Sequence, residues 1–208
     1  MRALLSVADR AGSAELAREL LAEGIEVYAT DGTRAELAEA GVDVAAVTDL
    51  TEDPTLLGGL VKTYHPEVYA GILARRHVPE DMADLEQHGL GTFDIVVVSI
   101  RPFAPLVGRR VVALDEAVEM IDVGGLSLLG AAARNFGGVA AVCDPADYPL
   151  LVEEVREHGA VSADVRQRLA AKAFAALAAY QGEVAAYLHH IGGERFPEQL
   201  SLVLRKER

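Results

Sequence analysis

The chain has 208 residues, 51% of them apolar and 25% charged, and its 19 Lys+Arg against 32 Asp+Glu leave a net charge of −13. That length suits one domain with a substantial core, and the acid excess excludes a protein that grips nucleic acid through a basic face. Aromatic residues are only 5% with no Trp, too few for single-strand stacking platforms.

No apolar window is long enough for a transmembrane helix. Asp9 and Arg10 interrupt the N-terminal apolar stretch, so no signal-peptide core is expected. A single cysteine, Cys143, rules out an internal disulfide framework and fits a reducing compartment, so the expected location is cytoplasmic.

The first apolar run, ALLSV (3–7), reads as a strand ending in the turn-rich ADRAGS. From Ser13 to Glu23 the spacing predicts a helix in which Leu16, Leu20 and Leu21 share a face, Ser13 caps and Gly24 lies past the end. IEVYAT (25–30) reads as the second strand, TDGT as a turn, RAELAEAG as a short helix and VDVAAV (42–47) as the third strand. DIVVVSI (94–100) is a continuous β-branched run, the pattern of a strand buried on both faces. MIDVGGLSLLGAAARN (120–135) sets Asp122 and two glycines at a helix start, and GGVAAVCD (137–144) is another strand. Helices follow over 150–158 and 162–190, the latter alanine-rich with Val165, Leu169, Ala173, Phe174, Leu177 and Leu188 near one face. That helix can pack on the sheet or on a second subunit. Strands alternating with helices imply parallel βαβ units, hence a doubly wound α/β fold with a mostly parallel sheet and a helical C-terminal appendage. The expected organisation is one domain over 1–193 and a short tail over 194–208.

In such a sheet, ligands bind beyond the carboxyl ends of the strands. Those positions hold SVADRAG (6–12), ATDGT (29–33), Arg101 after DIVVVSI, and the Asp122-Val123-Gly124 helix start, whose amides and glycines favour a close anion. The basic stretch VKTYHPEVYAGILARR (61–76) gathers Lys62, Thr63, His65, Arg75 and Arg76 around a proline and reads either as a solvated loop or as part of an anion pocket. Each feature also has a structural reading: Asp122 as a helix cap, Arg134-Asn135 as a helix terminus, His65 as a structural residue, Cys143 as buried and inert. The six histidines show no metal-ligand spacing. No P-loop and no G-x-S-x-G is present, and no G-x-G-x-x-G opens the first helix.

The stretches LLSVADRAG, YATDGT, GGLVKTYHPEVYAGILARR, DIVVVSIRPF, IDVGGLSLLGAAARN, CDPADY and LAAKAFAALAAY together resemble the N-terminal cyclohydrolase domain of the bifunctional transformylase/IMP cyclohydrolase family. The resemblance implies a methylglyoxal-synthase-like fold and covers nearly the whole chain. With the sequence stopping at LRKER, it implies the cyclohydrolase portion standing alone, without a transformylase domain. The implied reaction closes the formamido-imidazole-carboxamide ribonucleotide to IMP and water, with no metal or other cofactor, in a homodimer that binds a purine nucleotide and neither nucleic acid nor membrane. Carried over by motif, Ala8, Asp9, Arg10, Thr30, Asp31, Gly32, Thr33, Lys62 and Thr63 would surround the nucleotide, chiefly its phosphate and ribose. Ser99, Asp122, Val123 and Gly124 would lie near the base, and Lys62, Asp122, Arg101 and Arg134 would take part in the reaction.

Several positions depart from the family pattern. Arg10 stands for a lysine, Leu60 for an arginine, Ser99 for an asparagine, Arg101 for a tyrosine, Arg134 for a lysine, Tyr69 for a histidine and Asp31 for a glycine. Arginine does not deprotonate at working pH, so neither Arg101 nor Arg134 can be the general base, and Asp122 or an ordered water would have to accept the proton. Three readings stand: an active IMP cyclohydrolase, a divergent module that binds a purine nucleotide without turnover, and a partner subunit of a separate transformylase.

Overall fold

In the computed structural model, which describes residues 1–51, 57–107 and 112–192, the N-terminal apolar run forms β1 (Arg2–Val7) and is followed by α1 (Ser13–Ala22). Next come β2 (Glu26–Ala29), α2 (Asp31–Glu39), β3 (Ala45–Ala46), α3 (Thr48–Thr51), α4 (Pro66–Leu73) and α5 (Pro79–Gln87). The second half holds β4 (Ile95–Ser99), α6 (Ala104–Val107), α7 (Leu114–Glu119), α8 (Gly124–Arg134), β5 (Ala140–Val142), α9 (Tyr148–His158) and α10 (Ala163–Ile191). The five strands form one sheet in the order β3-β2-β1-β4-β5, and every pairing is parallel. The fold is therefore the doubly wound α/β fold of the sequence reading. The expected tail over 194–208 lies outside the described residues.

The alternation of strand side chains divides the core in two. Ala3, Leu5, Val27, Ala29, Ile95, Val97 and Val142 face α1, α2 and α9. Leu4, Val96, Val98 and Ala141 face α4 and α8. Both faces of β4 are covered, so all five of its residues are buried, as its unbroken β-branched run requires. The N-terminal half of α10 contributes Val165 and Leu169 to the first cluster and Ala170 and Ala173 to the second, closing the β5 edge of the sheet.

Several local expectations are corrected. TDGT is the first turn of a helix: Thr30 sits in extended backbone at the N-cap of α2, and Asp31 in the first turn complements the helix dipole. Ser13 is the first residue of α1 and does not cap it; Gly12 holds the cap position in the left-handed region (φ 70°). VDVAAV is in register with β2 at Ala45 and Ala46, with one further bond from the Val47 N–H to Ala29 O at 2.9 Å, and the Ala46 N–H goes to Asp49 Oδ2 at 2.9 Å. Along α10, Val165, Leu169 and Ala173 are buried as expected, whereas Phe174 and Leu188 remain exposed.

Asn135, just past α8, is buried and donates from Nδ2 to Ile72 O (2.7 Å) and Ala74 O (3.0 Å), capping the carboxyl end of α4. Truncating it strands two buried carbonyls, so Asn135→Ala should lower the free energy of unfolding in urea by about 2 kcal/mol. A second expectation concerns Tyr148, whose phenol is pushed up to about 12, mainly by burial, with Asp9, Asp144 and Glu36 adding to the effect. An unfolded tyrosine ionises near about 10, so above that pH the unfolded chain releases a proton that the folded chain keeps. The contribution of Tyr148 to stability, full below pH about 10, is then lost as pH rises through about 12. Urea midpoints should fall more steeply across this window for the wild type than for Tyr148→Phe.

Candidate functional site

Strand order reverses between β1 and β4, since the chain leaves β1 toward β2 and β3 and returns on its other side for β4 and β5. Connections depart in opposite directions from the carboxyl ends of those two strands, opening a crevice between them. A cleft of about 490 Å³ lies there. Ser6, Val7 and Ala8 line it from the end of β1, Ser99, Arg101 and Pro102 from the end of β4, and Asp122 to Gly125 from the start of α8.

Ser99 ties the two strand ends together. Its Oγ accepts the Ala8 N–H at 2.7 Å and the Asp9 N–H at 2.8 Å, fixing the loop that carries Arg10. Thr33 does the same from α2, its Oγ1 accepting the Val7 N–H at 2.9 Å and the Thr30 hydroxyl at 3.3 Å. Thr30, Thr33 and Ser99 are all buried, so their hydroxyls build the floor of the cleft. The amino ends of α2 and α8 open into it through Gly32 and Gly124, and first-turn amides have no partner within their own helix.

Lys62 and Thr63 enter from the segment ahead of α4. Leu57, Gly58 and Gly59 precede them with φ of 49°, 64° and 91°, a run of left-handed backbone in which the leucine is strained. The reading of VKTYHPEVYAGILARR now divides. His65 N-caps α4, its Nδ1 accepting the Glu67 N–H, and Pro66 takes the first helical position. Arg75 pairs with Asp81 at 2.8 Å and Arg76 with Asp94 at 2.6 Å, so these two arginines brace the α4–β4 region and do not line the cleft. The Arg75 guanidinium holds the Asp81 carboxyl well below the usual carboxylate range. Tyr69 stacks on Tyr64 with ring centroids 5.7 Å apart and also lies outside the lining.

Of the residues anticipated from sequence, Ala8, Arg10, Thr30, Gly32, Thr33 and Lys62 share the cleft. So do Thr63, Ser99, Arg101, Asp122, Val123 and Gly124. Asp9 and Asp31 stand beside it without lining it: Asp9 Oδ1 accepts the Ala11 N–H, and the Asp31 carboxylate is 3.8 Å from Lys62 Nζ. Arg134 is not brought to the cleft within one chain. It is exposed at the last turn of α8, and an α-helix rising 1.5 Å per residue puts it about 15 Å from Gly124.

Charge in the cleft is nearly balanced. Arg10 pairs with Glu36 at 3.2 Å and Lys62 faces Asp31, while Arg101 has no salt bridge among the described residues. Leu60 and Arg101 line the same cleft, so a cation is present there although position 60 lacks one. Glu36 escaped the sequence reading because nothing in RAELAEAG marks one glutamate of α2 as the partner of Arg10.

Asp122 is held at both of its carboxylate oxygens by backbone amides. Oδ1 accepts the Gly125 N–H at 2.8 Å and Oδ2 accepts the Arg101 N–H at 3.2 Å. Its helix-capping reading and its place in the cleft therefore hold together. Among the described residues no group of three or more His, Cys, Asp or Glu side chains could hold a metal ion, and no helix is long and apolar enough to cross a membrane.

A family model described as the MGS-like domain matches residues 12–127, and one described as the AICARFT/IMPCHase bienzyme matches residues 132–208. The bifunctional purine biosynthesis protein PurH of Listeria monocytogenes serotype 4b is 44% identical over 206 residues, covering 99% of this chain and 40% of that protein. PurH of Leuconostoc citreum is 45% identical over 205 residues, with the same coverage. The chain thus spans about 40% of the length of these curated relatives, at their N-terminal end. The crystal structure of ForH superposes with a TM-score of 0.79 at 35% identity, covering 90% of this chain and 98% of that one.

Gly125 and Gly124 give a local check on the geometry. A Cβ on Gly125 would sit 2.8 Å from Asp122 Oδ2, whereas one on Gly124 would meet only Thr63 Oγ1 at 3.7 Å. Gly125→Ala should therefore destabilise the protein by about 1–3 kcal/mol in urea unfolding, and Gly124→Ala should leave the midpoint close to wild type.

Proposed function

From the premise that this chain belongs to the MGS-like domain family, as a homologue of the IMP cyclohydrolase part of PurH, we propose that it is an IMP cyclohydrolase. Its substrate is the formamido-imidazole-carboxamide ribonucleotide. The carboxamide nitrogen attacks the formyl carbon, the resulting carbinolamine loses water, and IMP is released. The observation that carries this reading is the cleft at the β1/β4 reversal, which is lined by donors suited to a phosphorylated ligand and by the Asp122 carboxylate, held by two backbone amides.

In this proposal the nucleotide phosphate lies at the amino end of α2, where Gly32 admits a close approach, with Arg10 and Lys62 as counter-charges. The phosphate displaces Asp31 and Glu36 from the two cations they pair with, exchanging one anion for another. Asp122 accepts the proton of the carboxamide nitrogen: it is a carboxylate held by two backbone amides, and the cleft arginines cannot serve. Lys62 and Arg101 donate to the oxygen that gains charge as the formyl group is attacked. Arg134 is given no part within a single chain. The enzyme works in the cytoplasm and as a homodimer, and the apolar side chains of Phe174, Leu188 and Ile191 exposed along α10 support the dimer.

Purified protein given the formylated ribonucleotide should show the ultraviolet change of IMP formation. Asp122→Asn should lower kcat by about 10²-fold or more, with nucleotide binding retained in calorimetry. Nucleotide binding without turnover at high wild-type concentration would reduce the protein to a binding module. Failure to bind at all would overturn the site.

A further inference from the structure

Beyond Ala173, Tyr180 is the one buried residue of α10 among those described, at 6% exposure. The sheet has already been covered by that point on the helix, so a different surface buries it. Its hydroxyl accepts the backbone N–H of Asp122 at 2.7 Å. Its ring stands edge-on to Phe103, centroids 6.4 Å apart, and Phe103 meets Tyr187 on α10 at 5.3 Å. Phe103 is 1% exposed and lies two residues after Arg101, whose N–H holds Asp122 Oδ2. A single side chain therefore bears on Asp122 directly and on the loop that grips its carboxylate.

We infer that Tyr180 is a positioning residue for Asp122, an inference that rests on the cyclohydrolase reading and extends it to α10. Gly125 and Arg101 fix the two carboxylate oxygens, but both bonds depend on where the Asp122 backbone stands. The Tyr180 hydroxyl supplies that third point. Without it the Asp122 turn keeps its capping bond and is free to shift relative to β4, which moves the carboxylate against a substrate held by the strand ends. Proton transfer is sensitive to such shifts, whereas phosphate binding at α2 is not.

Tyr180→Phe tests this, because it keeps the ring against Phe103 and deletes only the hydroxyl. In the full chain, kcat for ring closure should fall by about tenfold or more with KM held within about twofold. Amide hydrogen exchange at Asp122 should accelerate by about tenfold while the amides of β1 and β4 keep wild-type protection. Tyr187→Phe, which removes a hydroxyl from the other tyrosine touching Phe103, should leave both readouts unchanged. Wild-type exchange at Asp122 in Tyr180→Phe overturns the inference whatever the rate does, and so does a wild-type kcat. Exchange is read without turnover. A wild-type protein that fails to cyclise overturns the cyclohydrolase reading, and exchange at Asp122 still decides the role of Tyr180.

Discussion

Parallel strands cannot be joined by hairpins, and each strand of this sheet must return through a crossover before the next one pairs. That constraint places every strand end of one polarity on one side of the molecule. It also forces helices onto both faces, which is why β4 is buried throughout and why the core divides into two clusters. Where the winding reverses, between β1 and β4, no crossover covers the strand ends, and the cleft lies there. The site is thus a by-product of sheet topology, furnished afterwards by loops.

The furnishing is economical in that the same side chains hold loops and present chemistry. Ser99 and Thr33 accept the amides of Val7, Ala8 and Asp9, which ties the floor of the cleft to the end of β1. Asp122 caps α8 and still lines the cleft. Gly125 is needed for this arrangement because any Cβ there would meet the carboxylate. Arg10 and Lys62 are oriented by Glu36 and Asp31. Pairs this exposed contribute little stability by themselves. Their consequence is electrostatic: they leave the charge of the cleft nearly balanced.

Much of the fold was legible because burial on two faces leaves a strong local pattern. IVVVS and RALLSV declare themselves by the apolar runs IVVV and ALL, and the long helix by its spacing. β3 was overestimated, since Val42 and Val44 are buried by packing, while Ala45 and Ala46 are the residues in register with β2 and Val47 adds one backbone bond to Ala29. ATDGT was misread because a threonine cap followed by aspartate and glycine is compatible with both a turn and a helix start; helical geometry won once α2 packed on β1 and β2. Most residues anticipated for the site do converge, because they follow successive strands of like direction. Arg134 does not, since its helix starts at the cleft and runs away from it. Tyr180 was invisible as a site residue because the alanine-rich spacing of its helix points only to packing, on the sheet or on a second subunit.

By itself the sequence determined the alternation of strands and helices, the parallel sheet that follows from it, and the polar residues waiting at the strand ends. These are local properties, set by side-chain periodicity and by backbone rules that act over a few residues. Only the tertiary structure decided which of those residues meet. It paired Arg10 with Glu36 and Lys62 with Asp31, sent Arg75 and Arg76 to other carboxylates, and set Tyr180 against Asp122 across 58 positions of chain. Such contacts depend on how helices cross the sheet, and no spacing along the chain encodes that.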